Sequence, residues 1–223
     1  MIGVVIPAFN AEASIGAVVK GALAHASRIL VVDDGSGDRT APHARDAGAE
    51  VVRHQRNRGK GAALRTGFSR MLEDGVSAVI TLDADSQHDP ADIPLFAETF
   101  RNEEPDLIIG SRHDDFTGMT RARRIGNRFS SLALHFFTGL ELPDSQSGYR
   151  LYAARFLRDL PLRRSSYDAE MEALLHAARG RRRIERIRIR SGIVNGVSTS
   201  NFRPWLDTYR ICRTVVWFSV CEF

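Results

Sequence analysis

Apolar residues along this chain fall into short runs closed by polar clusters, and the runs alternate with stretches of helical period. Ile2 to Ile6 reads as a buried strand, then a turn, Pro7-Ala8-Phe9-Asn10-Ala11-Glu12, and a helix from about Ser14 to His25. Arg28 to Val32 is a second apolar strand, ending in Asp33-Asp34-Gly35-Ser36; Thr40 to Ala47 is helical and Glu50 to Arg53 is a third strand. Asn57-Arg58-Gly59-Lys60-Gly61 introduces a helix to about Leu72, and Val76 to Leu82 is a fourth strand. Strands spaced by helices require crossovers, so the pattern predicts an α/β fold with a Rossmann-like, mostly parallel central sheet flanked by helices.

The second half is less regular. A helix is expected from Pro90 to about Asn102, a strand over Asp106 to Gly110, and a loop over residues 113–120. Arg121 to Thr138 carries Ile125, Phe129, Leu132, Leu134 and Phe136 in an imperfect helical stripe. Gly148 to Tyr152 reads as a strand, Tyr167 to Arg179 as a helix, and Arg186 to Arg190 alternates with period two, as a half-exposed strand does. A final helix is expected from Pro204, ending in Val215-Val216-Trp217-Phe218. No repeat or low-complexity linker divides the chain. One domain over 1–203 is expected, with halves 1–112 and 113–203, and an apolar or amphipathic helix over 204–223.

Three strand ends of the first half should lie on one sheet edge, at Pro7 to Glu12, Asp33 to Ser36 and Asp83 to Gln87. Ligands bind at such edges, where the chain leaves the sheet. Asp83 and Asp85 are separated by one residue and can share a face of an extended segment. Two close carboxylates repel unless a cation lies between them, and a divalent ion bound by oxygens fits. A solvated acidic turn before Pro90 accounts for the same residues. For Asp33 and Asp34 the corresponding plain reading is an Asx turn with Gly35 left-handed.

Composition narrows the ligand class. The chain has 223 residues and a formal net charge of +4, with Lys20 and Lys60 its only lysines. Arginine forks suit phosphates. The basic residues do not gather with aromatics into a nucleic-acid-binding motif, so no nucleic-acid partner is expected. Neither a Walker loop nor a dinucleotide fingerprint occurs, which disfavours ATP hydrolysis and nicotinamide chemistry. Cys212 and Cys221 form no zinc or disulfide pattern, and the start of the chain has no signal-peptide character. A cytoplasmic location, peripheral at the cytoplasmic face of a membrane, is the expectation.

Val4-Val5-Ile6-Pro7-Ala8-Phe9-Asn10, Val31-Val32-Asp33-Asp34-Gly35-Ser36, Asn57-Arg58-Gly59-Lys60-Gly61, Leu82-Asp83-Ala84-Asp85 and Asp144-Ser145-Gln146-Ser147-Gly148-Tyr149-Arg150 occur in that order. The set resembles the family 2 glycosyltransferases of GT-A fold, and among them the dolichol-phosphate mannosyltransferase and polyprenyl-phosphate glycosyltransferase group. Ala11 departs from the pattern, since many relatives place an acid directly after the asparagine. The resemblance implies a nucleotide-sugar pocket of Pro7, Ala8, Asn10, Glu12, Asp33, Asp34, Lys60, Asp83 and Ala84. It implies Mg²⁺ or Mn²⁺ on Asp85 and Gln87 with Asp83, and a catalytic set of Asp83, Asp85, Gln87 and Asp144. The phosphate of a lipid acceptor is implied to meet Arg112, Arg124, Asn127, Arg128, Ser131 and Arg203.

The expected activity is therefore an inverting transfer of a hexose from a nucleotide-sugar, GDP- or UDP-linked, to a polyprenyl phosphate at a membrane surface. A phosphate acceptor is ionised at neutral pH and needs no general base, whereas a hydroxyl acceptor does. Asp144 is the one strong base candidate in the second half. Transfer to a glycan or protein hydroxyl, sugar-1-phosphate nucleotidyl transfer, and nucleotide-sugar binding without turnover are the alternatives.

Overall fold

The computed structural model describes residues 1–111, 121–142, 144–190 and 204–221. The expected loop over 113–120, Arg112 and Arg203 lie outside the described residues. The first half holds β1 (Ile2–Ala8), α1 (Ile15–Leu23), β2 (Ile29–Asp33), α2 (Thr40–Asp46), β3 (Glu50–Arg53), α3 (Lys60–Glu73) and β4 (Ala78–Thr81). The chain continues through a 3-10 turn (Pro90–Asp92), α4 (Ile93–Glu103), β5 (Leu107–Ser111), α5 (Arg121–Thr138) and β6 (Arg150–Ala153). It ends with α6 (Ala154–Asp159), α7 (Asp168–Arg179), β7 (Ile184–Arg188) and α8 (Pro204–Cys221).

These strands form one seven-stranded sheet in the order β3-β2-β1-β4-β6-β5-β7. Helices cover both faces, so strand residues of either parity are buried and the runs read as continuously apolar. Val5, Leu30, Val32 and Val79 face one core, with Leu64 and Phe68 of α3, Leu174 of α7 and Val215 of α8. Val4, Ile6, Val31 and Ile80 face the other, with Val18 and Val19 of α1 and Phe96 of α4.

Two features of the sheet place the site. β1 pairs in parallel with β2 on one side and with β4 on the other, so the strand order reverses about β1 and a crevice opens at its C-terminal end. β6 runs antiparallel to both β4 and β5, with Thr81 opposite Arg150. A reversed strand delivers the segment before it, residues 144–149, to the edge where β4 ends.

Several boundaries differ from the sequence reading. β4 stops at Thr81, so Asp83 and Asp85 lie beyond the strand, Asp85 in a turn. β7 begins at Ile184 and ends at Arg188; the amide of Arg190 leaves the ladder to donate to Asp92 Oδ2 at 2.8 Å. α6, a six-residue helix running directly on from β6, was not foreseen, because only Ala154, Phe156 and Leu157 of it are buried and no full period develops. The stripe on α5 faces outward: Ile125, Phe129, Leu132 and Phe136 are 57, 64, 62 and 80% exposed, while Leu134 is buried. Among the described residues no helix is long and apolar enough to cross a membrane.

Candidate active site

At the crevice beside β1 lies a cavity of about 330 Å³. Its floor comes from three strand ends: Pro7, Ala8 and Phe9 at the end of β1, Asp34 after β2, and Asp83, Ala84 and Asp85 after β4. Asn57, Gly59 and Lys60 form one wall, Ser166 and Tyr167 before α7 another, and Leu206, Asp207 and Arg210 of α8 a third. The three polar strand ends are thus brought together by topology.

Each acid of this floor is held differently. Asp33 is buried and points away from the cavity: its Oδ1 accepts the amide of Ser36 at 3.0 Å and its Oδ2 pairs with Arg53 Nε at 3.0 Å. The bond to Ser36 reaches three residues on, one more than in an Asx turn, while Gly35 is left-handed as expected, at φ +75. A Cβ on Gly35 would stand 2.5 Å from the backbone of Arg56, so the turn and the 56–59 loop pack backbone to backbone. Asp34 faces the cavity and organises that loop, accepting the amides of Arg58 at 3.0 Å and Gly59 at 2.7 Å. His54 closes the set, with Nδ1 2.6 Å from Asp34 and Nε2 3.0 Å from Thr66 Oγ1.

Lys60 lies between Asp83 Oδ1 at 2.6 Å and Glu170 Oε1 at 3.0 Å. Burial works against its charge, but Asp83 and Glu170 outweigh it and raise the Lys60 pKa, so the ammonium is fixed. For Glu170 burial is the larger effect and raises its pKa, against the pull of Lys60 and Arg150. Tyr167 lies under the ammonium, 5.4 Å from Nζ to the ring centroid, and its hydroxyl is pushed up to about 12 by burial, against Lys60. Gly148 is required here by contact: an added Cβ would meet Asp83 Oδ2 at 2.5 Å.

The glycines of the Gly59-Lys60-Gly61 segment admit protein backbone. Ser165 O accepts the amides of Gly61 at 2.9 Å and Ala62 at 3.3 Å, so the N-terminus of α3 is closed by a carbonyl from the second half. Asp85 Oδ1 accepts the amide of Gln87 at 3.1 Å, and both side chains are half-buried. Asn10 and Glu12 turn toward the 36–40 loop, with Asn10 Oδ1 accepting Gly37 N at 2.9 Å and Glu12 Oε2 accepting Arg39 N at 3.0 Å.

Beside the cavity, the inner face of α5 grips the 144–147 segment. Asn127 Nδ2 donates to Asp144 Oδ1 at 3.1 Å, and Ser131 Oγ lies 3.0 Å from Ser145 Oγ. Gln146 Nε2 donates to Ser130 Oγ at 3.0 Å. Asp144 is 1% exposed, and Arg124 and Arg128 are exposed on the outer side of the helix. Arg150 is fully buried and donates to the carbonyls of Ser145, Ser147 and Glu170, each at 2.7 Å, which shapes the segment preceding β6. Sequence reasoning missed His54, Asp207 and Arg210. The last two were signalled by an i,i+3 charge pair, 3.3 Å apart, in the first half of α8; a lone histidine after β3 carries no such signal.

The model of glycosyl transferase family 2 matches residues 3–160, which includes every strand end that floors the cavity. The chain belongs to that family. It is 34% identical to an uncharacterized protein of Methanocaldococcus jannaschii over 84% of this chain and 80% of that one. It is 30% identical to the UDP-N-acetylglucosamine–dolichyl-phosphate N-acetylglucosaminyltransferase of Methanococcus voltae, over 86% of this chain and 85% of that one. The undecaprenyl-phosphate mannosyltransferase of Micrococcus luteus is 33% identical over 71% of this chain and 70% of its own. Among solved structures, glucosyl-3-phosphoglycerate synthase of Mycobacterium tuberculosis superposes with a TM-score of 0.78 at 23% identity, over 100% of this chain and 80% of that one. The fold is GT-A. Another structure of that synthase, with a TM-score of 0.75, 23% identity and coverage of 97% of this chain and 76% of that one, holds Mn²⁺, uridine diphosphate and phosphoglyceric acid.

Proposed function

We propose that the chain is an inverting glycosyltransferase that moves a hexose from a nucleotide-sugar to a polyprenyl phosphate at a membrane surface. The observation that carries this reading is the two-sided character of α5. Its inner face is hydrogen-bonded to the segment that runs into Gly148 against Asp83. Its outer face presents Ile125, Phe129, Leu132 and Phe136 beside the exposed Arg124 and Arg128. Guanidinium forks suit a lipid phosphate, and an apolar stripe suits the chain attached to it or the bilayer around it. The relatives whose names include dolichyl or undecaprenyl phosphate agree with such an acceptor.

In this reading Pro7, Ala8, Asp34 and Lys60 border the donor, with Asp83 and Ala84 at the sugar-diphosphate end. The floor has oxygen donors only, and four carboxylates line the cavity against two cationic side chains, Lys60 and Arg210. Among the described residues no cage of three or more acidic, histidine or cysteine side chains exists for a metal. In this reading Asp85, with Asp83 beside it on the floor, would hold a divalent cation that draws further oxygens from a substrate diphosphate; Gln87, two residues on, is the third expected ligand and lies outside the cavity lining. Such a cation, Mg²⁺ or Mn²⁺, supplies Lewis-acid neutralisation of the departing diphosphate.

The acceptor's phosphate oxygen forms the new bond to the anomeric carbon as the bond from that carbon to the diphosphate breaks. The phosphate is already anionic, so no proton has to be removed, in keeping with an Asp144 that is buried and bonded to Asn127. Lys60, fixed between Asp83 and Glu170, keeps positive charge beside the leaving group. The test is nucleoside diphosphate release from UDP- and GDP-hexoses with polyprenyl phosphate in vesicles and Mg²⁺ or Mn²⁺. Release dependent on the lipid phosphate is expected. Release with a sugar hydroxyl acceptor instead, abolished by Asp144→Asn with donor binding intact, would overturn the acceptor assignment.

A further inference from the structure

A second cavity, of about 510 Å³, lies away from the donor floor, between the segment before α7, α7 itself and the C-terminal half of α8. Its lining is Arg163, Arg164, Glu172, Arg213 and Trp217. Three arginines, a glutamate and a tryptophan thus line one concave surface. A concave surface lined by arginines raises the local concentration of anions.

The cleft is also organised. Glu172, 4% exposed, accepts the amides of Arg163 at 2.8 Å and Arg164 at 2.9 Å through one oxygen, Oε2, which fixes two consecutive arginines against the cavity. The Arg164 guanidinium lies 5.0 Å over the ring of Trp217, an arrangement that orients its N–H edge. Arg213 and Trp217 stand four residues apart on α8 and so share a face. Burial raises the pKa of Glu172, against the two amides, so the one acid of the cleft is the group whose charge its surroundings disfavour.

We propose that this cleft is a second anion site, which takes a phosphate group on Arg163, Arg164 and Arg213 with Trp217 as its apolar wall. Guanidinium forks recognise phosphate oxygens with paired N–H groups, and the ring offers a face to whatever the phosphate carries. None of its residues belongs to the donor cavity, yet both cavities share walls. α8 gives Asp207 and Arg210 to one and Arg213 and Trp217 to the other, and residues 163–167 run between them.

Trp217 is 41% exposed within the cleft and reports on it directly. Only one other tryptophan, Trp205, is present, so the full chain carrying Trp205→Phe isolates the signal. Titration with inorganic phosphate is expected to give a saturable fluorescence change, weakened about tenfold in Arg213→Gln and in Arg164→Gln. A response to phosphatidylglycerol vesicles, but not to phosphatidylcholine vesicles or free phosphate, identifies a lipid headgroup as the source of the same anion. Arg213 is exposed, so Arg213→Gln keeps the measurement valid should Arg164→Gln unfold. No saturable change with either probe, or an equal change in the parent and in folded Arg213→Gln, would overturn the proposal. Neither readout needs a sugar donor, so the donor-site reading stands or falls separately.

Discussion

The donor floor and the α5 face are built in opposite ways. The floor is made of strand ends whose acids are pinned by backbone amides and a half-buried lysine, as with Asp34 on Arg58 and Gly59, and Asp83 on Lys60. The α5 face is a helix with its hydrogen bonds turned inward and its largest apolar side chains in solvent. Rigid, pre-paired charge suits a ligand of fixed shape, whereas an open apolar stripe suits a partner with no fixed shape. One half of the chain thus presents a pre-paired polar floor and the other an open apolar face.

The comparison breaks most sharply at Lys60. Lys60→Met leaves Asp83 and the buried Glu170 without their shared cation, and a loss of about 3–5 kcal/mol in chemical denaturation is expected. A loss below about 1 kcal/mol would mean that the floor is held by its backbone bonds alone. Glu170→Gln in the same background should recover part of the loss.

Next in size is Asp85→Asn. Its carboxylate accepts the amide of Gln87 at 3.1 Å and lies on the cavity floor. A fall of roughly 10²–10³ in turnover with unchanged melting is expected from nucleoside diphosphate release. A large drop in melting temperature instead would make Asp85 structural. On the other side of the comparison, Phe129→Ser with Phe136→Ser should weaken vesicle co-sedimentation about tenfold and leave thermal stability within about 0.5 kcal/mol, since both side chains are mostly exposed.

The smallest expected effect concerns the opposite end of the strands, where β2 and β3 begin. Arg28 bonds to both Glu50 and Asp74, and its hydrogen bond to Glu50 is the leading reason that carboxyl lies below its usual range. A depressed carboxyl contributes stability that is present above its unfolded value and is lost as pH falls through the folded one. Glu50→Gln should therefore cost up to about 1 kcal/mol at pH 7, with the difference closing on acidification below the ordinary glutamate range. A difference independent of pH would assign the effect to packing.

The same contrast explains what could be read from the sequence. Buried parallel strands announce themselves as apolar runs, so β1, β2 and β4, with their polar ends, were legible, and with them Asp34, Asp83 and Asp85. Roles that depend on side-chain direction were not legible. Asp33 and Asp34 are neighbours in sequence, yet one faces Arg53 and the other the cavity. The reversal of β6 was also hidden, because a buried antiparallel strand has the same apolar signature as a parallel one. For α5 the period was right, but period alone does not say whether an apolar stripe faces the core or the solvent, and here Leu134 and Gly126 mark the inner side.

One contact sets how this protein can be recombined with its relatives. The carbonyl of Ser165 accepts the first free amides of α3, so a helix that begins at Lys60 is completed by residues about a hundred positions later. A hybrid with its crossover anywhere between those two points unites an α3 start from one parent with a 163–167 segment from another. Second halves are therefore not interchangeable cassettes: segment and helix start have to travel together, or their matched backbone geometry has to be rebuilt.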